Sequence, residues 1–424
     1  MTFSLPEFEN KDVIFIGQDR EWASFEKFIS AHVQLRSLKS IFITDENKAF
    51  YDEQLQALNP ETTIVVKTAG YPGSKVPVAY TTPTKIFFEC ARQITGAKII
   101  GVTGTKGKTT TASLIYRMLQ QGGKASILGG NIGIPMLDTL VDADEHSIFV
   151  IELSSYQLAE LGQSPDLAVI TNLYRDHIDY HGSLEAYWEA KRNIVRFMTA
   201  ENTVVFNPDT EIVYHWLAEL EAKKVQIDPQ ESVDMSKSQL IGEHNKYNYL
   251  MAKAAAQAFG VDLFSCQHIL KNFKPISHRL EKVRTVHGIT YVDDAIASQP
   301  EAAVAGITAC VHEVGPVGCV FLGGQDRDYD FEELVKLLST LSIPKLVLFP
   351  DTGAKIKALF PDSYQPETFE TRDMHDAVKW ADKNCPSGSV CLLSTASPSY
   401  SVWKDFEEKG DLFQKAVIEL SEFN

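Results

Sequence analysis

Short apolar runs alternate with longer segments in which apolar residues recur every three or four positions along almost the whole chain. Runs of the first kind are typical of buried β-strands, and segments of the second kind are typical of amphipathic helices. The expected strands lie at residues 12–17, 40–44, 62–66, 98–104, 147–153, 166–173, 203–207, 317–324, 345–350 and 389–394. The expected helices lie at residues 21–32, 48–58, 110–121, 183–198, 244–260 and 402–420. This alternation predicts an α/β protein with parallel sheets and crossover helices.

Two local signals refine the pattern. A hairpin is expected at residues 283–294, because His287 and Gly288 separate two β-rich runs by two residues. Gly260 ends a strong helical segment at the place where a left-handed cap would sit. We predict three domains, at residues 1–92, 93–276 and 277–424.

Composition and charge narrow the class of protein. The chain has 424 residues, of which 44% are apolar and 23% charged, and its net charge is −16. This acidic balance disfavours a nucleic-acid-binding protein, which would normally present a basic face. Six cysteines without a Cys-x-x-Cys pair give no zinc or redox signature and predict reduced thiols in a cytosolic protein. The sequence shows no secretory signal and no apolar run of membrane-spanning length, so we expect a cytoplasmic protein.

Residues 101–111, "GVTGTKGKTTT", predict a phosphate-binding loop between a strand and a helix. Glycines let backbone amides turn toward an anion, and the following helix N-terminus adds positive potential. Lys108 could reach terminal phosphates, and the hydroxyl of Thr109 or Thr110 could bind Mg²⁺. The glycine spacing differs from the common Gly-x-x-x-x-Gly-Lys-Ser/Thr pattern. The alternative is a glycine-rich turn with a threonine helix cap.

Three further side chains are candidates for the same site, since ligands bind beyond the carboxyl ends of parallel strands. Glu152 ends an apolar strand and could bind Mg²⁺; the alternative is an acid that supports the helix from Ser154. His177 follows the next strand and is either a ligand or a surface hydrogen-bonding residue. Lys191 falls on the apolar stripe of its helix, so it either turns inward toward the site or extends its ammonium to solvent.

Polar residues in later segments could complete nucleotide and substrate sites. Two asparagines one helical turn apart could bind an adenine or could cap their helix. The remaining candidates lie at strand ends or in loops of the third predicted domain. These residues are Asn245, Asn248, Arg279, Asp293, Asp294, Arg327, Ser397 and Ser399.

Together these motifs resemble the Mur ligases, ATP-dependent amide synthetases of cell-wall precursor assembly. The spacing Gly-x-Thr-Gly-Thr-x-Gly-Lys-Thr-Thr is similar to the phosphate loop of that family. The segments "ELSSYQL", "TNLYRDHIDYHG", "SHRLE", "LGGQDRDYDF" and "LSTASPSYSVWKDFEEKG" are similar to those of its D-glutamate-adding members. The resemblance covers residues 98–413 with the motifs in order.

The resemblance implies a fold and an activity. It implies a Rossmann-like N-terminal domain for the UDP precursor, a central P-loop ATPase-like domain with a parallel sheet, and a Rossmann-like C-terminal domain for the amino acid. It implies that UDP-N-acetylmuramoyl-L-alanine and D-glutamate are joined through an acyl phosphate, with release of ADP and phosphate. It also implies ATP, two Mg²⁺ ions and a carbamate on Lys191. We expect a monomer without nucleic-acid or membrane partners.

The resemblance also assigns residue roles, carried over position by position. The implied catalytic residues are Lys108, Glu152, His177 and Lys191. The implied ATP contacts are Gly104, Thr105, Gly107, Lys108, Thr109, Thr110, Asn245, Asn248, Arg279 and Asp294. The implied metal ligands are Thr109, Glu152, His177 and carbamylated Lys191. The implied substrate contacts are Asp45, Gly70, Asn131, Ser154, Ser298, Arg327, Ser399 and Phe406.

Three departures leave alternatives open. Residues 15–24, "FIGQDREWAS", lack the glycine-rich turn expected after the first strand, and Ile296 and Arg327 stand where lysine is frequent in the family. The amino acid could therefore differ, as in an L-glutamate-adding or folylpolyglutamate-type ligase. A P-loop switch ATPase is a further alternative of a different class.

Overall fold

The computed structural model describes residues 3–17, 19–44, 47–235, 238, 240, 243–274, 277–327 and 329–420. The chain falls into two compact units: Met1–Val233 with His244–Leu270, and Asp234–Glu243 with Lys271–Asn424. We call these unit 1 and unit 2. Among the described residues, no helix combines the length and apolarity that crossing a membrane requires.

Unit 1 begins with a parallel four-stranded sheet of order β2-β1-β3-β4. Its strands are β1 (Asp12–Ile16), β2 (Ser37–Ile41), β3 (Thr63–Lys67) and β4 (Tyr80–Thr81), and its helices are α1 (Asp19–His32), α2 (Lys48–Gln56) and α3 (Pro83–Ala91). The expected strand at 40–44 was placed too late. β2 is an edge strand that pairs only with β1, and most of its residues are exposed or half-buried, so polar residues are tolerated there.

A second, parallel six-stranded sheet follows in unit 1, with the order β10-β9-β8-β5-β7-β6. Its strands are β5 (Lys98–Thr103), β6 (Ser126–Gly130), β7 (Ile148–Glu152), β8 (Leu167–Ile170), β9 (Thr203–Phe206) and β10 (Lys223–Gln226). The helices along this segment are α4 (Lys108–Gln121), α5 (Ser155–Ala159), α6 (Ile178–His181), α7 (Leu184–Arg196), α8 (Glu211–Leu217), α9 (Glu243–Ala258) and α10 (Leu263–Asn272). Because β8, β5 and β7 are neighbours, the loops at their carboxyl ends meet at one edge.

The two sheets of unit 1 share a hydrophobic core. Ile86, Phe87 and Phe88 of α3 are fully buried, and the ring of Phe87 meets that of Phe149 on β7 edge-on at 5.3 Å. This common core explains why the first two predicted domains form one compact unit.

Unit 2 has a six-stranded sheet of order β11-β12-β16-β13-β14-β15, in which only β11 runs antiparallel to its neighbour. Its strands are β11 (Glu281–Val286), β12 (Ile289–Asp293), β13 (Val317–Gly323), β14 (Lys345–Phe349), β15 (Glu367–Glu370) and β16 (Val390–Leu393). Its helices are α11 (Pro300–Glu313), α12 (Glu332–Thr340), α13 (Thr352–Ala358), α14 (Met374–Asn384) and α15 (Phe406–Glu419). The predicted hairpin is confirmed: His287 and Gly288 have φ of 49° and 80°, the sign that a two-residue primed turn needs.

Candidate active site

The loop between β5 and α4 depends on two glycines. Gly104 and Gly107 have φ of +148° and +80°, and α4 begins directly after Gly107. A Cβ at Gly104 would lie 1.9 Å from Oγ1 of Thr171, and one at Gly107 would lie 2.3 Å from Oδ1 of Asn248. Glycine is therefore required at both positions by backbone angle and by space. A glycine cap also leaves the first amides of α4 without a capping side chain of their own, as an anion-binding loop needs.

The segment after β8 holds this loop in place. The backbone N–H groups of Thr105 and Lys106 donate to the carbonyl and the side-chain oxygen of Asn172, each at 2.8 Å. The hydroxyl of Thr105 lies 2.9 Å from that of Tyr187 on α7. Asn172 thus supports the loop from behind.

The two asparagines of α9 also contact the loop region. Asn248 donates to Oδ1 of Asn245 at 2.9 Å and accepts from the hydroxyl of Thr111 at 3.3 Å. Both asparagines are buried, and Oδ1 of Asn248 packs against Gly107. The structure therefore brings this predicted pair to the phosphate loop.

Two lysine ammonium groups converge on the carbonyl of Gly104. Nζ of Lys108 donates to the Gly104 and Thr105 carbonyls at 3.1 and 3.0 Å. Nζ of Lys191, on α7, donates to the same Gly104 carbonyl at 2.8 Å. Only 1% of Lys191 is exposed, so the alternative in which it extends to solvent is wrong.

This crowding has a consequence for the charge of Lys191. Burial, and next the positive charge of Lys108, hold the pKa of Lys191 well below its usual range, while Asp176 and Glu152 oppose the shift. A desolvated amine beside a second cation favours the neutral form.

Glu152 is the buried carboxylate of the site. It is 1% exposed; its Oε1 accepts from Nδ2 of Asn131 at 3.0 Å, and its Oε2 has no hydrogen-bond partner among the described residues. Ser154 itself caps α5, in a capping box with Gln157, so the Glu152 side chain is not needed as the cap of that helix. A buried carboxylate oxygen without a donor is costly unless a cation reaches it.

His177 precedes α6 in a left-handed conformation with φ of 51°. Its Nδ1 lies 2.9 Å from the hydroxyl of Tyr156, and its Nε2 lies 3.6 Å from a carboxylate oxygen of Asp176. Sequence reasoning missed Tyr156, because its partner lies 21 residues away on another strand end. The Tyr156 hydroxyl fixes which ring nitrogen of His177 faces outward.

A cavity of about 350 Å³ lies beside Glu152 in unit 1. Three residues that the resemblance placed in substrate binding line it: Gly70, Asn131 and Ser154. Residues from the atypical first turn of α1 also line it, together with Tyr156; the unpredicted lining residues include Arg20, Glu21 and Ser24. Their side chains occupy the place where the family pattern led us to expect a glycine-rich turn. The remaining predicted contact, Asp45, lies outside the described residues.

The wall of this cavity is tied to the helix that follows His177. The hydroxyl of Tyr180, on α6, donates to the carbonyl of Ala69 at 3.1 Å. Its ring meets that of Tyr156 edge-on at 4.2 Å. Aromatic contacts therefore join the Gly70 segment to the region of His177.

In unit 2, two predicted nucleotide contacts flank the first two strands: Arg279 precedes β11 and Asp294 follows β12. Asp294 is 4% exposed, and burial raises its pKa to about 7 despite hydrogen bonds from the Ser394 hydroxyl and the Leu280 amide and the charge of Arg279. Nε of Arg279 is buried and has no hydrogen-bond partner in the described part of the chain. A buried guanidinium nitrogen without a partner, beside a carboxyl whose pKa is raised by burial, is typical of a site that receives a polar ligand.

His278, Glu281 and Asp293 form a compact polar cluster next to these residues. Nδ1 of His278 lies 2.7 Å from Asp293, and Nε2 of Gln414 donates to both Glu281 and Asp293 at 2.9 Å. Because the amide of Gln414 donates where a cation would sit, the cluster is a hydrogen-bond network that supports Arg279 and Asp294.

The predicted amino-acid contacts lie on two adjacent loops of unit 2. The Gln325 amide donates to the Pro398 carbonyl at 2.8 Å, and the exposed guanidinium of Arg327 lies 6.0 Å from the ring centre of Tyr400. Ser399 is 3% exposed, and its hydroxyl has no hydrogen-bond partner among the described residues. These loops thus present a guanidinium and an unpaired buried hydroxyl in one region.

The last two predicted substrate contacts lie elsewhere in unit 2. Phe406, the first residue of α15, faces the ring of His278 at 6.3 Å. Ser298 is half-buried in the turn after β12, where its amide donates to the Ile296 carbonyl at 2.8 Å. Both border the polar cluster of His278.

Comparisons with known proteins agree with this arrangement. Residues 102–228 match the Mur ligase middle domain. The UDP-N-acetylmuramoylalanine–D-glutamate ligase of Clostridium botulinum (strain Hall) is 34% identical over 349 residues, which cover 76% of this chain and 75% of that protein. The enzyme of the same name from Acetivibrio thermocellus is 32% identical over 367 residues, covering 80% and 77%.

Solved structures show the same fold. MurF ligase from Thermotoga maritima, determined in complex with ADP, superposes with a TM-score of 0.60 at 17% identity, covering 98% of this chain and 97% of that one. UDP-N-acetylmuramate-alanine ligase MurC from the same organism superposes with a TM-score of 0.59, covering 96% and 99%. Since relatives above 30% identity span three-quarters of both sequences, the chain belongs to the Mur ligase family.

Proposed function

We propose that this protein is the ATP-dependent ligase that adds D-glutamate to UDP-N-acetylmuramoyl-L-alanine, releasing ADP and phosphate. One observation carries the proposal: the 350 Å³ cavity and the phosphate-loop cluster meet at Asn131, which lines the cavity and binds the Glu152 carboxylate. A precursor whose carboxylate lies at this end of the cavity would lie next to the γ-phosphate of ATP. The names of the relatives supply the identity of the two substrates.

The first step is in-line phosphoryl transfer. The precursor carboxylate oxygen attacks the γ-phosphorus, and the bond to the β–γ bridging oxygen breaks, which gives an acyl phosphate and ADP. The amides at the start of α4 and the Lys108 ammonium stabilise the charge on the transferring group. Thr105 and Asn172 keep the loop in the geometry that this step requires.

Mg²⁺ ions fit the residues of this site, and when bound they would neutralise phosphate charge. The buried, unpartnered Oε2 of Glu152 is the observation that supports a cation there. We propose that Thr109 and Glu152 hold the first ion and that His177 and a carbamylated Lys191 hold the second. Tyr156 accepts the Nδ1 proton of His177, which orients Nε2 as the ligating atom.

The surroundings of Lys191 support the proposed carbamate. A neutral lysine amine attacks the carbon of CO₂, a C–N bond forms, and one proton is lost, which leaves a carboxylate on the side chain. Burial and the charge of Lys108 favour the neutral amine that this reaction needs. The modification turns an unfavourable buried ammonium beside Lys108 into an anion that pairs with cations.

The second step is acyl transfer to the amino acid, which we propose unit 2 holds. The amine nitrogen attacks the acyl carbon, a proton is lost, and phosphate leaves. Arg327 offers a planar fork suited to one carboxylate of glutamate, and the unpaired hydroxyl of Ser399 offers a donor to the other. Ser298 and Phe406, near the His278 cluster, are proposed as further substrate contacts, and Arg279, Asp294, Asn245 and Asn248 are proposed nucleotide contacts.

The test is ADP release with a panel of amino acids. With ATP, Mg²⁺ and UDP-N-acetylmuramoyl-L-alanine, we expect D-glutamate to support turnover and L-glutamate, D-glutamine and meso-diaminopimelate to support far less. Mass spectrometry should identify a product heavier than the precursor by one glutamate residue.

Omitting the precursor or the amino acid is the internal control, because a switch ATPase would release ADP without either. Preference for diaminopimelate or a neutral amino acid would contradict the substrate assignment and leave the ligase chemistry standing. Preference for L-glutamate would contradict only the stereochemistry.

A further inference from the structure

Lys409 is another fully buried lysine, and nothing in the proposed chemistry uses it. It is 0% exposed, although its neighbours along α15 are mostly polar. It lies in the first turn of the helix, where the helix dipole already adds positive potential. Burial and helix position both disfavour a cation here, so the side chain must be held by specific partners.

Two carboxylates supply the charge that Lys409 needs. Burial lowers the pKa of Lys409 to about 7, and Asp293 and Asp294 at the end of β12 oppose that shift. Asp294 is one of the proposed nucleotide contacts, so the ammonium lies near that region of unit 2. The buried cation is therefore part of the polar interior of this domain.

The ammonium group binds the start of the loop that carries Ser399. Nζ of Lys409 donates to Oγ1 of Thr395 at 2.5 Å, and that hydroxyl donates in turn to the Ser397 carbonyl at 3.1 Å. The Thr395 carbonyl accepts from the Gly323 amide at 2.9 Å, which fastens the same residue to β13. In this series of hydrogen bonds, from Lys409 to Thr395 and from Thr395 to Ser397, the Thr395 hydroxyl is both acceptor and donor, so its orientation is fixed.

The same ammonium also lies against the end of this loop. Nζ of Lys409 is 5.7 Å from the ring centre of Trp403. The amides of Val402 and Trp403 both donate to the Ser399 carbonyl, at 3.0 and 2.9 Å. Lys409 thus contacts both ends of the segment Thr395–Trp403, and the unpaired hydroxyl of Ser399 lies in its middle.

We infer that Lys409 is a positioning residue for the amino-acid substrate: it clamps the segment Thr395–Trp403 so that Ser399 presents its hydroxyl to the incoming amino acid. This inference rests on the proposed function. It concerns the amino-acid side of the reaction, because the contacts of Lys409 described above are with the two ends of the segment that carries Ser399.

The test is a comparison of kinetic constants for Lys409→Met and the wild type. Losing a hydrogen bond from a charged donor should raise KM for D-glutamate by about tenfold or more. The KM for the UDP precursor should stay within about twofold, since its proposed contacts around the unit 1 cavity are unchanged. Lys409→Arg keeps a charged donor and should recover part of the lost affinity.

The matched control is Lys404→Met, which removes an exposed lysine five residues away and should leave both KM values unchanged. The inference is overturned if Lys409→Met keeps the wild-type KM for D-glutamate, or if both KM values rise together. If Lys409→Met does not fold, Thr395→Val decides, because it removes the hydroxyl that accepts from Lys409 and donates to the Ser397 carbonyl; an unchanged KM for D-glutamate there would also overturn the inference. Failure of the proposed function is recognised separately, since the wild type would then release no ADP in response to D-glutamate.

Discussion

Two lysines of this protein share the same burial and have opposite electrostatic surroundings. Lys191 in unit 1 is 1% exposed and Lys409 in unit 2 is 0% exposed, and each donates one short hydrogen bond to a loop of its unit. Beside Lys191 the strongest neighbouring charge is the cation of Lys108, which adds to the effect of burial. Beside Lys409 the neighbouring charges are Asp293 and Asp294, which oppose it.

The difference shows that burial alone does not decide what an inward lysine does. Desolvation disfavours both ammonium groups, and the sign of the nearest charge then separates them. The pKa of Lys191 is held well below its usual range, which favours the neutral amine that the proposed carbamylation needs. The pKa of Lys409 falls to about 7, so this lysine keeps part of its charge near neutral pH, and its hydrogen bond to Thr395 anchors a loop. The predictions below test this separation.

The largest expected effect is the loss of Lys191. Lys191→Ala removes the proposed carbamate, and turnover should fall by at least about 10²–10³-fold, the range seen when one preorganised electrostatic group is lost. Short-chain carboxylic acids should restore part of the activity, because they supply the missing carboxylate. Steady-state ADP release with and without added acetate measures both effects.

Arg192→Ala is the matched control for that experiment, since Arg192 pairs with Glu189 on the outer face of the same helix. It should keep wild-type activity. Full activity in Lys191→Ala would contradict the proposed role of this lysine.

Replacing Lys108 has the next largest effect. Lys108→Ala removes the cation that the proposal places on the transferring phosphoryl group, and we expect turnover to fall by about 10²-fold. It should also raise the pKa of Lys191, because the neighbouring positive charge is gone. Lys106→Ala, an exposed lysine of the same loop, is the control for ADP release. Near-wild-type turnover of Lys108→Ala would contradict the phosphate-loop assignment.

A smaller effect is expected at Tyr156. Tyr156→Phe keeps the aromatic wall of the cavity and removes the hydroxyl that orients His177. The Mg²⁺ concentration for half-maximal activity should rise about tenfold, as for other partners of metal-ligating histidines. Binding of Mn²⁺, followed by electron paramagnetic resonance, provides a second readout. Tyr214→Phe, at an exposed position, is the control, and an unchanged metal requirement in Tyr156→Phe would refute this role.

The smallest effect concerns stability at Asp293, the carboxylate near both Lys409 and His278. Burial lowers the pKa of His278, but the hydrogen bond and charge of Asp293, with Asp411 and Glu281, outweigh it and raise the pKa above its ordinary value of 6.5. The resulting stabilisation is fully present below pH 6.5 and is lost as pH rises through the raised pKa.

His278→Gln should therefore lower the unfolding temperature at pH 6 by about 2–4 °C more than at pH 9. Differential scanning fluorimetry at both pH values measures the difference. His146→Gln, which replaces an exposed imidazole, is the control. An equal change at both pH values would show that the His278–Asp293 charge pair adds no stability.

Features with a local signal could be predicted from the sequence. The apolar stripe of α7 placed Lys191 on the buried face of its helix, although it left the direction of the ammonium open, and the phosphate loop was predicted from its glycines and the strand–loop–helix order. The hairpin was likewise predicted from the two residues, His287 and Gly288, that separate its β-rich runs. In each case the pattern that determines the structure lies within about two helical turns of sequence.

Features that depend on distant packing could not be predicted. Lys409 lies in the acidic segment "DFEEKGDLF", which reads as a solvated helix start. It is buried because Thr395 and Trp403 close over it, and because α15 approaches the neighbouring strands closely at Gly410. A Cβ at Gly410 would lie 2.0 Å from Nδ1 of His278. The contact between Tyr156 and His177 could not be predicted for the same reason. The two residues follow different strands, and no local sequence pattern shows that these strand ends meet.

The most direct test of the two-lysine comparison is ¹³C nuclear magnetic resonance of the enzyme equilibrated with ¹³C-bicarbonate. A ¹³C resonance from the carbonyl carbon of the carbamate should be present in the wild type. It should be absent from Lys191→Met and retained in Lys409→Met. Its intensity should grow as pH rises and the Lys191 amine loses its proton. A wild-type spectrum without this resonance, or a resonance that disappears in Lys409→Met and persists in Lys191→Met, would contradict the account.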